Sequence, residues 1–381
     1  MAARVTRSAS GGSRSTDAMF AEPHQYRNEE RMMTKMLDQL KNGRLPAELL
    51  PLLRNFHTAV MESPCSRCLL LALSHDELGV IFDGLADPLH PVVAVAFSST
   101  CKGLRTPLLA ALEVLQQRHA KARALCYTIG AIWTHDETYV DCSCATLRDA
   151  VKLELYPEVD LTNDDMAVLA VLLANWLPKL RMLEVIGNDV GERTEFIQTL
   201  CESLGRGAGP SIVELNFTCC KLRPAGTKAL ALALRTGALP KVEMLALGGN
   251  CFGNQGVAAL ALPLRKLPAL KELFLWGCDI GDEGVASLMA DLGKDDFKAL
   301  TRLSLYKNQL SSDGIATIIP ALKAGAMPAL RHLKIPRLSP AGLEQEIKEA
   351  LNAVRASLAV HVGDDGETDV ETDDDDNSDD L

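Results

Sequence analysis

Between residues 180 and 335 the chain returns, about every 30 residues, to one short pattern: a lead apolar residue with further apolar residues three and five positions on. The leads are Leu180, Ile212, Val242, Leu270, Leu300 and Leu330, at spacings of 32, 30, 28, 30 and 30. Their followers are Leu183 and Val185, Leu215 and Phe217, Leu245 and Leu247, Leu273 and Leu275, Leu303 and Leu305, and Leu333 and Ile335. Alternation over so short a run is the period-two signal of a strand. Eight positions after each of the first five leads stand Asn188, Cys220, Asn250, Cys278 and Asn308. There the chain must leave the strand, and a side-chain amide can bond the turning backbone; a thiol is a weaker donor.

A helix signal follows each strand. Gly226, Gly256, Gly284 and Gly314 share one position, and apolar residues then fall at helical spacing: Val257, Leu260, Ala261 and Leu264; Val285, Leu288, Met289 and Leu292; Ile315, Ile318, Ile319 and Leu322. These line one face of a helix. Pro178, Pro210, Pro240, Pro268 and Pro328 lie two residues before a lead, where they end the helix and return the chain to extended geometry.

One strand and one helix per repeat resembles a leucine-rich-repeat solenoid of the long, ribonuclease-inhibitor-like class. The resemblance covers about residues 145–355. It implies an α/β horseshoe with a parallel concave sheet and convex helices, about seven repeats over 146–360, both ends irregular. An earlier copy is visible at Val151, Leu153, Leu155 and Leu161, one residue out of register, with a helical stretch at Met166–Trp176. In the last copy Arg337 replaces the turn Asn. Such departures fit terminal repeats, which pack against one neighbour only.

Charge divides the chain. The formal net charge is −11, but residues 363–381 hold eleven acidic residues and no basic one, so the remainder balances at 39 of each sign. Residues 361–381 are therefore expected as a disordered acidic tail, and residues 1–21, with Arg4, Arg7, Arg14 and several serines, as a disordered basic start. An Arg- and Ser-rich, acid-poor start also fits an organelle transit peptide, the weaker alternative. No run of about 18 apolar residues is present, so no membrane span is expected. Eleven cysteines without a secretory signal suggest free thiols in a reducing compartment, cytoplasmic or nuclear. Cys65 and Cys68, with Cys142 and Cys144, match no familiar zinc spacing, and no metal or other cofactor is expected. Asn216-Phe217-Thr218 reads as a glycosylation sequon but lies inside a repeat strand.

Residues 22–145 do not follow the repeat and read as helical, as at Arg27–Lys41 and Pro46–Val60. In segment 71–108, Ser74 and Glu77 form a capping box, Leu78, Ile81, Phe82 and Leu85 share a helix face, and Asp87-Pro88 breaks it. With Leu73 before them and Cys101-Lys102 after, these positions resemble an F-box; Ser74 stands where that family has Pro, Leu104 where it has Trp, and the Asp-Pro turn is longer by a few residues. The resemblance implies binding to a Skp-type adaptor of a cullin ubiquitin ligase through Leu73, Leu78, Ile81, Phe82, Leu85 and Pro88. The alternative is that the helical unit only covers the solenoid's first strand edge.

Residues flanking the core-facing strand positions point to the other face. Those at +2, +4 and +6 run from acidic, with Glu184 and Glu214, to basic, and between them stand Glu272, Phe274, Trp276, Arg302 and Tyr306. In a chain only 4% aromatic, this grouping is the expected protein-binding surface, since aromatics and Arg dominate binding hot spots. No phosphate-binding loop, metalloprotease motif, nucleophile elbow or dinucleotide glycine pattern occurs, so no enzyme is expected. No nucleic acid partner is expected either. The expected function is a substrate receptor that bridges a Skp-cullin ubiquitin ligase to a protein on the concave face. Repeats followed by an acidic tail also resemble Ran GTPase-activating proteins, which implies regulation of a small GTPase as an alternative, and a stand-alone interaction scaffold is a third.

Overall fold

The computed structural model describes residues 75–99, 108–133, 138–156, 159, 161–187, 194–205, 209–338 and 342–363. Several expectations lie outside the described residues: the basic start, the helices at Arg27–Lys41 and Pro46–Val60, Leu73, Ser74, Cys65, Cys68, Cys101, Lys102, Leu104, Asn188 and the acidic run from Asp364. The chain divides into two compact units, 1–122 and 123–381.

In the first unit, α1 (His75–Leu85) and α2 (Val92–Ser99) are separated by the Asp87-Pro88 break. Pro88 bars a continuing helix, and the Asp87 carboxylate accepts from the Leu89 N–H at 2.8 Å, which fixes the turn. Leu78, Ile81, Phe82 and Leu85 are buried, none more than 3% exposed, and Pro88 is buried with them. α3 (Leu109–Ile129) follows, and its last residues, from Arg123, belong to the second unit.

The second unit carries one ten-stranded sheet. Eight strands are parallel and consecutive: β3 (Lys152–Leu155), β4 (Met182–Val185), β5 (Glu214–Asn216), β6 (Met244–Ala246), β7 (Glu272–Phe274), β8 (Arg302–Ser304), β9 (His332–Ile335) and β10 (Ala359–Val362). Each pair aligns the repeat positions, Leu183 with Leu215, Leu245 with Leu273, and Leu303 with Leu333. The +3 and +5 residues are buried almost completely, as their alternation requires. Between strands run α5 (Asn163–Asn175), α6 (Thr194–Gly205), α7 (Pro224–Arg235), α8 (Gly253–Leu264) and α9 (Asp282–Met289). After β8 the helix is broken at Thr317 into α10 (Ser312–Ala316) and α11 (Ile318–Lys323), and α12 (Gly342–Val354) precedes β10. A Cβ at Gly284 would meet Asn254 and Val257 of the preceding repeat, and one at Gly314 would overlap Asp282, so the shared glycine lets successive repeats approach.

Both ends differ from expectation. The early copy is in register: Leu153 pairs with Leu183, so its lead is Ala150, fully buried, and not Val151. Before it, β1 (Ala131–Trp133) and β2 (Tyr139–Asp141) form an antiparallel hairpin, and β1 pairs with β3. The helical region expected to reach 145 thus stops short, because β1 and β2 join the repeat sheet; α4 (Cys144–Arg148), capped by Ser143 and Thr146, leads into β3. At the other end β10 adds a strand through Val362, where the tail was expected from 361.

Candidate functional site

The turn after each strand is built by two recurring positions. At +8, Asn250 is fully buried; its Oδ1 accepts from the Leu222 N–H at 2.8 Å, and its Nδ2 donates to the carbonyls of Phe217 at 2.7 Å and Leu247 at 2.8 Å. Asn308 repeats the scheme with the N–H groups of Cys278 and Ile280 and the carbonyls of Leu275 and Leu305. At the same position Cys220 and Cys278 each donate a thiol hydrogen to a carbonyl one strand back, Val185 at 2.6 Å and Leu247 at 3.1 Å. At +7, Gly187, Cys219, Gly249, Gly277 and Lys307 all have positive φ, between 54° and 69°. That row is sterically natural for glycine, and a repeated Gly before Asn or Cys is the signal that would have found it.

This turn sets how the open face, opposite the +3 and +5 core residues, is presented. The +4 residues of these repeats close their strands and lie between neighbours: Phe274, the last residue of β7, is aligned with Ala246 on one side and Ser304 on the other, and is 4% exposed. Phe274, expected as a contact residue, therefore belongs to the floor. Period two assigns a residue to a face but does not make it accessible, since strands about 4.8 Å apart cover each other's middles. The +6 residues, past the strand ends, are partly exposed: Trp276 and Tyr306. Trp276 lies over Gly248 of the preceding repeat, where any Cβ would overlap the indole. The residue without a side chain is thus what lets the indole lie flat across the sheet.

Cations surround these rings. The Arg302 guanidinium lies 5.9 Å from the Phe274 ring centroid and 3.7 Å from a Glu272 carboxylate oxygen. Lys307 and Lys334 place their ammonium groups 5.1 and 5.2 Å from the centre of the Tyr306 ring. Both distances are within cation–π range. Lys307 and Lys334 join the expected group and were not in it. His332 stacks on His361 at 5.8 Å, and burial, with Arg302, His361 and Arg331 nearby, holds its pKa below the usual imidazole value. Beneath them Ser304, 3% exposed, has a hydroxyl with no hydrogen-bond partner.

The acidic residues stand apart from this group. Glu184, 9% exposed, pairs with Lys152 at 3.3 Å, and Lys152 also reaches Glu154 at 2.9 Å. Burial is the larger influence on Glu184 and raises its pKa despite Lys152; burial and then Glu184 raise that of Glu214. Burial works against the Lys152 ammonium, but Glu154 and Glu184 outweigh it and raise its pKa. Burial and Glu154 push the Tyr156 phenol up to about 12. These groups form a cluster on β3–β5, away from the aromatic rings, in which Lys152 offsets only part of the charge of Glu154, Glu184 and Glu214.

The remaining expected residues separate in the same way. Ile81 and Phe82, expected at an adaptor contact, are 3% and 1% exposed, so they hold the helical unit together and cannot touch a partner as they stand; Leu78, Leu85 and Pro88 are also buried. The exposed large apolar residues of that unit's described part are Val92, Leu109 and Val114. Asn216 is 6% exposed and bonds the Thr218 N–H at 2.9 Å, which removes it as a glycosylation acceptor. Among the described residues no group of acids, histidines and cysteines is placed to hold a metal, and no helix is long and apolar enough to cross a membrane.

Residues 238–261 and 266–289 each match the Leucine Rich repeat family model, and both matches begin just before a lead residue, Val242 and Leu270. This is a leucine-rich-repeat fold. The in-register parallel strands extend it from β3 to β10, well beyond the two matched repeats. No curated protein matches the chain. Among solved structures, leiomodin-1 actin-binding site 2 is similar over 33% of this chain and 72% of that one, at 20% identity and a TM-score of 0.29, too slight to bear on fold or partner. Leucine-rich-repeat solenoids generally present extended surfaces to protein partners.

Proposed function

We propose that this chain is a non-enzymatic protein-interaction module of the ribonuclease-inhibitor-like kind, with its partner held against Trp276, Tyr306, Arg302, Lys307 and Lys334. The observation that carries this reading is the arrangement at Tyr306, where two lysines from different repeats converge on one partly exposed ring. Repeat architecture does not require that arrangement, because +4, +6 and +7 are open-face or turn positions. A rigid sheet bearing Trp, Tyr and Arg supplies contact area at little entropic cost. The test is affinity capture with the intact chain against a Trp276→Ala, Tyr306→Ala double variant. Loss of a protein seen with the wild type supports the site, and unchanged capture by the folded variant refutes it.

Within that reading, the helical unit connects the module to a Skp-type adaptor of a ubiquitin ligase. The support is a helix, an Asp-Pro turn and a second helix in the order an F-box has them. Because Ile81 and Phe82 are core, the informative substitutions are exposed ones, Val92→Glu with Leu109→Glu. Recovery of a Skp-type adaptor that is lost in this variant supports the ligase role. Recovery of a Ran-type GTPase instead supports the regulator, and recovery of neither with a partner still on the open face leaves the scaffold.

A further inference from the structure

The strand added at the end of the array delivers the acidic run to a specific place. β10 pairs with β9 residue for residue, Val362 with Ile335, and the Gly363 N–H donates to the Ile335 carbonyl at 3.1 Å. Gly363 therefore comes level with Pro336, in the same +6 row as Trp276 and Tyr306. Its φ is 81°, and a Cβ there would collide with the Arg337 side chain, so Arg337 lies against the backbone one residue before Asp364 and Asp365. Lys334 is on the adjacent strand, and Arg302 and Lys307 belong to the repeat beyond it, roughly 10 Å from β10 at ordinary strand spacing. Residues 364–381 hold eleven acids and no base. Eighteen residues can extend to about 60 Å, so the run reaches all four cations with length to spare.

From this connection and charge pattern we infer that residues 364–381 occupy the basic end of their own chain's open face, across Arg337, Lys334, Lys307 and Arg302, and compete there with an outside partner. The opposite end repels the same run, since Glu154, Glu184 and Glu214 stand there with Lys152 already engaged. Contacts of this kind are exposed and individually weak, so occupancy depends on tethering. A short flexible connection gives an effective concentration on the order of 1 mM. Against an intrinsic dissociation constant on the order of 0.1 mM, the site is self-occupied about ten to one, and an outside acidic ligand binds about tenfold more weakly.

This inference rests on the open face being a binding surface, but its test needs no partner. The probe is a fluorescent synthetic peptide of residues 364–381, titrated by anisotropy in about 10 mM salt, where screening extends to about 30 Å. Three full-length chains are compared: wild type; a neutralised chain with all eleven acids of residues 364–381 changed to Asn or Gln; and the neutralised chain carrying Lys334→Glu and Arg337→Glu. Circular dichroism confirms that all three are folded. The expected result is binding to the neutralised chain about tenfold tighter than to wild type, with loss in the charge-reversed chain. Equal binding to wild type and neutralised chains, no binding to either, or binding that survives charge reversal overturns the inference. Absent peptide binding with partner capture intact removes only the self-occupancy; intact peptide binding with partner capture unaffected by the Trp276 and Tyr306 changes removes only the proposed partner site.

Discussion

Replacing Asn250 with Ala removes the side chain that holds one whole turn. Its Oδ1 is the acceptor for the Leu222 N–H at 2.8 Å, and its Nδ2 serves the carbonyls of Phe217 and Leu247. The site is fully buried, so water does not replace these bonds without rearrangement. An orphaned buried donor costs about 1–3 kcal/mol. The Phe217 carbonyl adds about 1–2 kcal/mol, and the Leu247 carbonyl less, because the Cys278 thiol also reaches it at 3.1 Å. The total is roughly 3–5 kcal/mol, a large share of the stability of an ordinary domain. Asn250→Cys makes a comparison the protein already contains, since Cys278 fills the same position with a thiol donor. That variant keeps one weak bond and still orphans the Leu222 N–H, so it falls between wild type and Ala. Urea unfolding followed by tryptophan fluorescence measures the loss, and hydrogen exchange at the Leu222 amide localises it. A loss below about 1 kcal/mol for Ala, with the Leu222 amide as protected as in wild type, refutes the reasoning.

Three further outcomes follow from the open face. Ser304→Ala removes a buried hydroxyl without a partner, so urea stability is unchanged or rises by up to about 1 kcal/mol; a clear loss contradicts the assignment. Lys307 has φ 54° where neighbouring repeats use glycine, so Lys307→Gly gains on the order of 0.5–1 kcal/mol, the left-handed cost of about 1–2 less the added freedom of glycine. It also weakens binding of the acidic peptide, so stability and binding move in opposite directions. For Glu214, burial raises the folded pKa above the unfolded value, so the folded state holds the proton more tightly and stability falls as pH rises between the two. Glu214→Gln is therefore more stable than wild type at pH 7, and the difference shrinks as pH falls below the ordinary carboxylate range; thermal unfolding at both ends of that range checks the sign.

The strands were legible in the sequence because two constraints coincide there. Leu245 and Leu247 must face one way in a strand, and Asn250 must turn the chain, so side-chain type and spacing determine each other. The ends were less legible. Ala150 gives no apolar signal strong enough to mark a lead, and the β1–β2 hairpin spans three-residue strands that alternate too briefly to be read. The site divided along the same line. Trp276 and Tyr306 are partly exposed, as the +6 position beyond the strand allows. Phe274 misled, because a ring paired on both sides, between Ala246 and Ser304, is covered whichever face it is on. Lys307 and Lys334 were overlooked because their meaning depends on the Tyr306 ring that each approaches, a relation between repeats that no single copy contains. In the helical unit, Ile81 and Phe82 carried the family resemblance yet serve as core, so a motif position identified the element but not its contact surface.

The most direct measurement is partner capture by the intact chain against the Trp276→Ala, Tyr306→Ala variant, with both proteins shown to unfold at similar urea concentrations. If the open face at the β7–β9 end is where this protein is used, a protein recovered with the wild type is absent or strongly depleted with the variant. Equal recovery of that protein by the folded variant contradicts the account.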